Sequence, residues 1–146
     1  METLHSRYVH ALDDDRLEEW PDFFTEDGVY RVTTAENEAR GLPIPVMIAE
    51  SRAMMRDRIA SLRHANIYEP QRYTHLVSSL LLEKSNDVVK AVSNFLVVRT
   101  MQNGESVLFA SGRYVDRIAL APNPLFEERV VVCDSRRFDT LLAIPL

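Results

Sequence analysis

Cysteine occurs once in this chain, at Cys133, among 146 residues. A lone thiol builds no disulfide framework and no multi-cysteine metal site. Glycine is nearly as sparse, with four residues. That leaves no glycine-rich phosphate loop and no dinucleotide fingerprint. No apolar run reaches the roughly 20 residues a membrane helix needs. The opening Met1-Glu2-Thr3-Leu4-His5-Ser6-Arg7 lacks the charged-then-apolar layout of a secretory signal. Basic residues number 17 against 22 acidic ones, a net charge of −5, and the signs are interspersed. With no basic stripe to neutralise a run of phosphates, nucleic-acid binding is not expected. These absences predict a cytoplasmic protein with neither a membrane nor a nucleic-acid partner.

What is present is an ordinary globular composition, 46% apolar and 27% charged. It predicts one domain spanning residues 1–146. Leu4, Tyr8, Ala11 and Leu12 recur at helical spacing over the first dozen residues. Asp13-Asp14-Asp15 should end that helix and cap a second, from about Arg16 to Phe24. Leu17, Trp20 and Phe24 would share one face there, and Pro21 would force a break. A tight polar corner, Thr25-Glu26-Asp27-Gly28, then leads into a strand at Val29–Thr34. Ala35–Ala49, with its prolines and glycine, reads as a loop. Ser51 reads as the N-cap of a helix running to about Ala65, with Met54, Met55, Arg58, Ile59 and Leu62 on one side.

From Gln71 onward β-branched and aromatic residues dominate. They predict strands at Tyr73–Leu82, Val88–Met101, Val107–Ile118 and Phe126–Cys133. Ser85-Asn86-Asp87, Asn103-Gly104 and Ala121-Pro122-Asn123-Pro124 supply the turns of an antiparallel meander. Helices first and strands afterwards predict an α+β fold. On Val88–Met101, Ala91, Phe95 and Val97 face one way, while Val92, Leu96 and Val98 face the other. Both faces of the sheet should therefore be covered, one by helices and one by a partner subunit. The apolar run Thr140–Leu146 is expected to dock on another chain as well, the plainer reading being that it folds back on its own core.

The residues able to do chemistry are few. His5 and His10 lie about 140° apart on a helix, and His64 and His75 are eleven residues apart, so no metal-ligand spacing exists. His75, inside a strand, is the best single acid–base candidate, and a hydrogen-bonded structural histidine is the plainer reading. Asp27, Tyr30, Tyr73, His75, Asp116 and Asp134 are the polar groups placed to project between helices and sheet. Asp116 is flanked by Arg113 and Arg117, and Asp134 by Arg136 and Arg137, so ion pairing competes with catalysis. Cys133 ends an apolar strand as a buried, inert thiol. Arg63 and Arg72 flank a polar connection and suit carboxylate pairing, by default with a structural or interface partner. There is no nucleophile elbow. No residue is assigned a catalytic, cofactor-binding or metal-binding role.

Several ordered segments carry a resemblance. They are Tyr8-Val9-His10-Ala11-Leu12-Asp13, Leu17-Glu18-Glu19-Trp20-Pro21-Asp22-Phe23-Phe24-Thr25-Glu26-Asp27, Met55–Arg63, and Asn66-Ile67-Tyr68-Glu69 with Arg72-Tyr73-Thr74-His75. Phe109–Tyr114, Cys133-Asp134-Ser135 and Asp139–Leu146 complete the set. Together they resemble the small (beta) subunit of the aromatic-ring-hydroxylating dioxygenases, the Rieske non-haem iron oxygenases. The resemblance implies a cone-shaped, nuclear-transport-factor or cystatin-like fold. It implies a hexamer of three large and three small subunits, with contacts among the small ones, served by a reductase that draws on NAD(P)H. The large subunit would carry the Rieske [2Fe–2S] cluster and the mononuclear Fe(II), and would select the substrate. The branch it is most similar to acts on terephthalate, salicylate or anthranilate. On that reading this chain is structural and inactive alone. The alternative is a stand-alone dehydratase or isomerase of the same fold, using a buried His/Asp/Tyr site.

Overall fold

Alternation in the second half of the chain dictates the architecture. In the computed structural model, which describes residues 2–41, 45–65, 70–134 and 144–146, four long strands form the expected meander. They are β3 (Gln71–Ser85), β4 (Val88–Met101), β5 (Ser106–Ala119) and β6 (Leu125–Cys133). Asn86 and Gly104, both at positive φ, sit in the first two turns, where such residues lower the cost of a left-handed backbone. The expected corner and strand merge into one strand, β1 (Phe24–Thr34), irregular between Phe24 and Val29. β1 runs parallel to β6, a pairing that hairpin signals alone do not reveal. With Met47–Ala49 as the edge strand β2, the sheet order is β2-β1-β6-β5-β4-β3.

Ala35–Ala49 is not all loop. It holds a short helix, α2 (Ala35–Ala39), and an edge strand, β2 (Met47–Ala49), antiparallel to β1. Thr34 caps α2 by accepting from the Asn37 amide at 3.2 Å. Met47 and Ala49 alternate inward, so three residues suffice for an edge strand.

The helices line the inner face. α1 (Glu2–Asp13) buries Leu4, Tyr8, Ala11 and Leu12, and α3 (Arg52–Ala65) buries Met55 and Ile59. Ser51 caps α3 as expected, accepting from the Met54 amide at 3.1 Å, but Met54 itself faces out. The second helix is a 3₁₀ helix over Leu17–Phe23 containing Pro21. The Asp run does not cap it: its N-cap is Arg16, with no side-chain bond. Those aspartates are drawn elsewhere, Asp13 to His75 and Asp15 to Arg63. α1 packs toward β3, while α3 and the 3₁₀ helix pack toward β1. The sheet therefore curls around its helices from one side to the other. Gly112 permits close approach of β5 and β6, since a Cβ there would lie 1.9 Å from the Val132 carbonyl oxygen.

Candidate functional site

The cone interior is built by inward-facing strand residues and the aromatic face of the N-terminal helices. Trp20, Phe24, Tyr30, Tyr114 and Phe126 are fully buried, with edge-on or tilted ring contacts linking Trp20, Tyr30, Phe24, Phe126 and Tyr8. At its centre lies a buried ion pair. Asp116 on β5 stands opposite Arg129 on β6 in the strand register. Arg129 donates through Nε to Oδ1 and through Nη2 to Oδ2, both at 2.8 Å. His5 of α1 adds a contact from Nε2 to Asp116 Oδ2 at 3.0 Å. The guanidinium carbon lies 3.9, 4.2 and 4.4 Å from the ring centres of Tyr114, Phe126 and Tyr8. Aromatic faces thus receive the cation where the described residues supply no further acceptor.

This geometry corrects the pairing expected from sequence neighbours. Arg113 and Arg117 flank Asp116, but strand alternation sends both to the outer face, where Arg117 approaches Glu127 at 3.5 Å. Burial alone would push the Asp116 carboxyl up. The charge and bonds of Arg129, aided by His5, outweigh it and hold the group below the ordinary carboxylate range. Such a carboxylate stabilises the fold above its unfolded-state pKa and ceases to do so as pH falls through its folded value. The unfolding free energy should therefore lose this contribution as pH falls below about 4. A urea titration series across pH checks this; stability that rises on acidification would contradict it.

A second polar cluster ties α1 to β3. Asp13 accepts from the His75 amide at 3.0 Å and contacts His75 Nδ1 at 2.6 Å. His75 Nε2 is buried and meets no hydrogen-bonding partner among the described residues.

The third cluster closes on residues 144–146. Tyr8 donates to the Leu146 carbonyl at 2.9 Å and receives the Trp20 indole N–H at 3.2 Å. Tyr30 accepts from the Leu146 amide at 2.9 Å. Ile144 and Leu146 are buried in the chain's own core. The apolar segment was expected to dock on another chain; over 144–146 it folds back on this one, and residues 135–143 lie outside the described residues. Burial pushes the Tyr8 phenol up to about 12 and Tyr30 well above its ordinary value.

The six candidates separate into two groups. Tyr30, Tyr73, His75 and Asp116 are buried on the inner face, whereas Asp27 and Asp134 are exposed. The two buried acid–base candidates do not meet: Asp116 is engaged by Arg129 and His5, and His75 by Asp13. Arg129, the residue at the centre, was missed because it reads as one charge in Glu127-Glu128-Arg129. Its signal was position, inward between the buried Phe126 and Val131. The arginines expected at Asp134, Arg136 and Arg137, lie outside the described residues. Asp134 instead accepts from Ser111 Oγ at 3.2 Å. Arg63 makes the structural pairing expected of it, bridging Asp15 and Glu18 at 2.7–3.1 Å. Arg72 lines a shallow hollow of about 440 Å³ beside Asp13, Asp14 and Asp15.

The donor set does not fit a Rieske cluster, which needs two cysteines and two histidines. Cys133 is the only cysteine, and burial pushes its thiol up to about 12. His5 and His75 are each engaged by an aspartate. Among the described residues no cluster of histidine, cysteine and acidic groups is suited to hold a metal ion. No helix among them is long and apolar enough to cross a membrane.

Helices enclosed by a curled, mostly antiparallel six-stranded sheet define the cone-shaped α+β class. Residues 7–142 match the family model of the ring hydroxylating beta subunit, and the chain belongs to that family. It is a small subunit of a multicomponent aromatic dioxygenase. It is 42% identical over 145 residues to the anthranilate 1,2-dioxygenase small subunit of Burkholderia cepacia, covering 98% of this chain and 90% of that one. It is 43% identical over 146 residues to a terephthalate 1,2-dioxygenase terminal oxygenase subunit beta from Comamonas sp, covering 98% and 94%. A beta subunit assigned to an aromatic-ring-hydroxylating dioxygenase of Novosphingobium aromaticivorans superposes with a TM-score of 0.91. It is 35% identical and covers 99% of this chain and 94% of its own. A naphthalene 1,2-dioxygenase chain shares the fold at a TM-score of 0.78 and 17% identity, covering 99% and 83%. The stand-alone dehydratase or isomerase is not favoured.

Proposed function

We propose that this chain is a non-catalytic scaffold of a Rieske dioxygenase that hydroxylates an aromatic carboxylate in aromatic catabolism. The observation that carries the reading is the interior of the cone. A pocket enzyme of this fold needs converging proton donors and acceptors with room between them. Among the described residues, Arg129, Asp116 and packed aromatic rings occupy the centre of that interior. The aromatic carboxylate is supported by the three relatives above 40% identity, named for anthranilate and terephthalate, both of which carry a carboxylate on a ring. The Rieske [2Fe–2S] cluster and the mononuclear Fe(II) are assigned to the large subunit, which the single cysteine here supports. Three large and three small subunits would form the oxygenase, with contacts among the small ones, supplied with electrons by a reductase in the cytoplasm.

The test is to purify the chain alone and co-expressed with the large subunit of its own system. The expected results are an iron-free, inactive chain alone, and a red-brown complex with the native mass of three plus three subunits. A chain that holds iron stoichiometrically, or oxidises an aromatic acid by itself, would overturn the proposal.

A further inference from the structure

The register lays out the outer face of the sheet in rows. One row is Leu76–Leu96–Ser111, and beside it lies Thr74–Val98–Leu108. A polar row, Ser78–Asn94–Arg113, follows. Next comes Leu81–Val92–Val115–Val130, bounded by a charged row, Glu83–Lys90–Arg117–Glu128. The helices pack on the opposite side of the sheet. Leu76, Leu81 and Leu108 are 55%, 71% and 62% exposed, and Leu96 and Val115 at least 40%. Scattered exposed leucines need no explanation. These are cross-strand or near neighbours, and on either side of the polar row they make two apolar zones that together expose roughly a few hundred Å², comparable to the largest patch on a typical monomer, which is often functional. A standard interface covers about 800 Å² on each partner, so this patch is large enough for its centre.

We infer that this outer face, across β3, β4 and β5, is the surface that the large oxygenase subunit covers. The inference rests on the small-subunit reading above. A second copy of this chain fits the face less well. The sheet curls around its helices, so the outer face is convex, and two such faces touch over little area. A head-to-tail contact would need a comparable apolar patch elsewhere on the molecule. Away from β3–β5, the large exposed apolar side chains among the described residues are Val46, Ile48 and Met54. The polar row adds a chemical requirement. Arg113 stands exposed between the two apolar zones and forms no ion pair among the described residues. A matching partner surface is apolar, concave, and places a carboxylate opposite Arg113.

The experiment uses full-length chains co-expressed with a tagged large subunit. The variants are Leu76→Glu combined with Leu96→Glu and, separately, Leu81→Asp and Arg113→Glu. All are surface substitutions, and Leu81→Asp, at the most exposed position, disturbs the fold least. Circular dichroism and thermal midpoints establish that each variant folds. The expected result is at least a tenfold loss of small chain recovered with the large subunit for the double variant, and a smaller loss for each single one. Full recovery of folded variants would overturn the assignment of this face. So would retention of the large subunit with loss of small-chain self-association, which gives the face to a second copy. If the wild-type chain fails to co-purify, the small-subunit reading itself falls.

Discussion

Replacing Arg129 with methionine should destabilise the chain by about 3–5 kcal/mol, the usual cost of leaving a buried charge without its partner. Arg129 is 0% exposed, and both Asp116 oxygens depend on it. In the Arg129→Met chain Asp116 keeps only His5, inside a low-dielectric cone. The carboxyl then protonates or draws in water, and either response loosens the packing of Tyr8, Tyr114 and Phe126. Lysine is a poor substitute, because it offers neither the two-pronged donor pair nor a flat cation to lie between rings. Removing both charges is a different experiment. An Asp116→Leu, Arg129→Met pair removes the desolvation cost along with the attraction, and should recover much of the lost stability. Denaturant unfolding of wild type, Arg129→Met, Asp116→Leu and the double variant closes a double-mutant cycle. Equal stability of Arg129→Met and wild type would show that the ion pair is not what holds the interior closed.

Deleting Ile144–Leu146 should be about as damaging, costing on the order of 4 kcal/mol or more. Two buried aliphatic side chains are lost, each worth about 2–5 kcal/mol on truncation in well-packed cores. The Tyr8 and Tyr30 hydroxyls also lose the Leu146 backbone groups they bind, and an orphaned buried polar group costs about 1–3 kcal/mol. Tyr8 passes the damage on, because the Trp20 indole is bonded to it. The expected readout is a large fall in the thermal midpoint of the isolated chain, before any partner is present. A truncated chain that melts normally yet fails to assemble would return this segment to the interface role its composition suggested.

That reversal shows where sequence reasoning stopped. Thr140–Leu146 was legible as apolar but not as to its destination, because hydrophobicity does not distinguish a chain's own core from a neighbour's. The same ambiguity extends to the outer face of β4. Its two apolar faces alternate strictly, and helices on one side leave the other to be explained. The α+β layering and the meander were legible because β-branched runs broken by Asn86 and Asn103-Gly104 admit few other folds. β2 and α2 were hidden by the prolines and glycine of Ala35–Ala49. β2 exists because Met47 and Ala49 bury against β1, a tertiary effect that overrides local propensity. The parallel β1–β6 pairing was invisible, since no turn connects the two strands.

The candidate site was partly legible. Tyr30, Tyr73, His75 and Asp116 were correctly placed inward, and Asp27 and Asp134 were not. Asp116 was given the wrong partners because adjacency in sequence was weighed above alternation. At positions 113 and 117 the side chains point away from position 116, while the residue facing Asp116 lies 13 residues along, across a hairpin. Asp13 likewise looked like a helix cap and instead fastens α1 to His75. Both errors concern charges whose partners are set by strand register, which a single sequence does not display.

Iron content of the purified chain, expressed without its partner, is the most direct measurement of the division of labour proposed for this oxygenase. The expected value is no iron above background, with colour and oxygen-dependent turnover appearing only once the large subunit is present. One iron per chain in the isolated protein, or turnover of an aromatic acid without the large subunit, would contradict it.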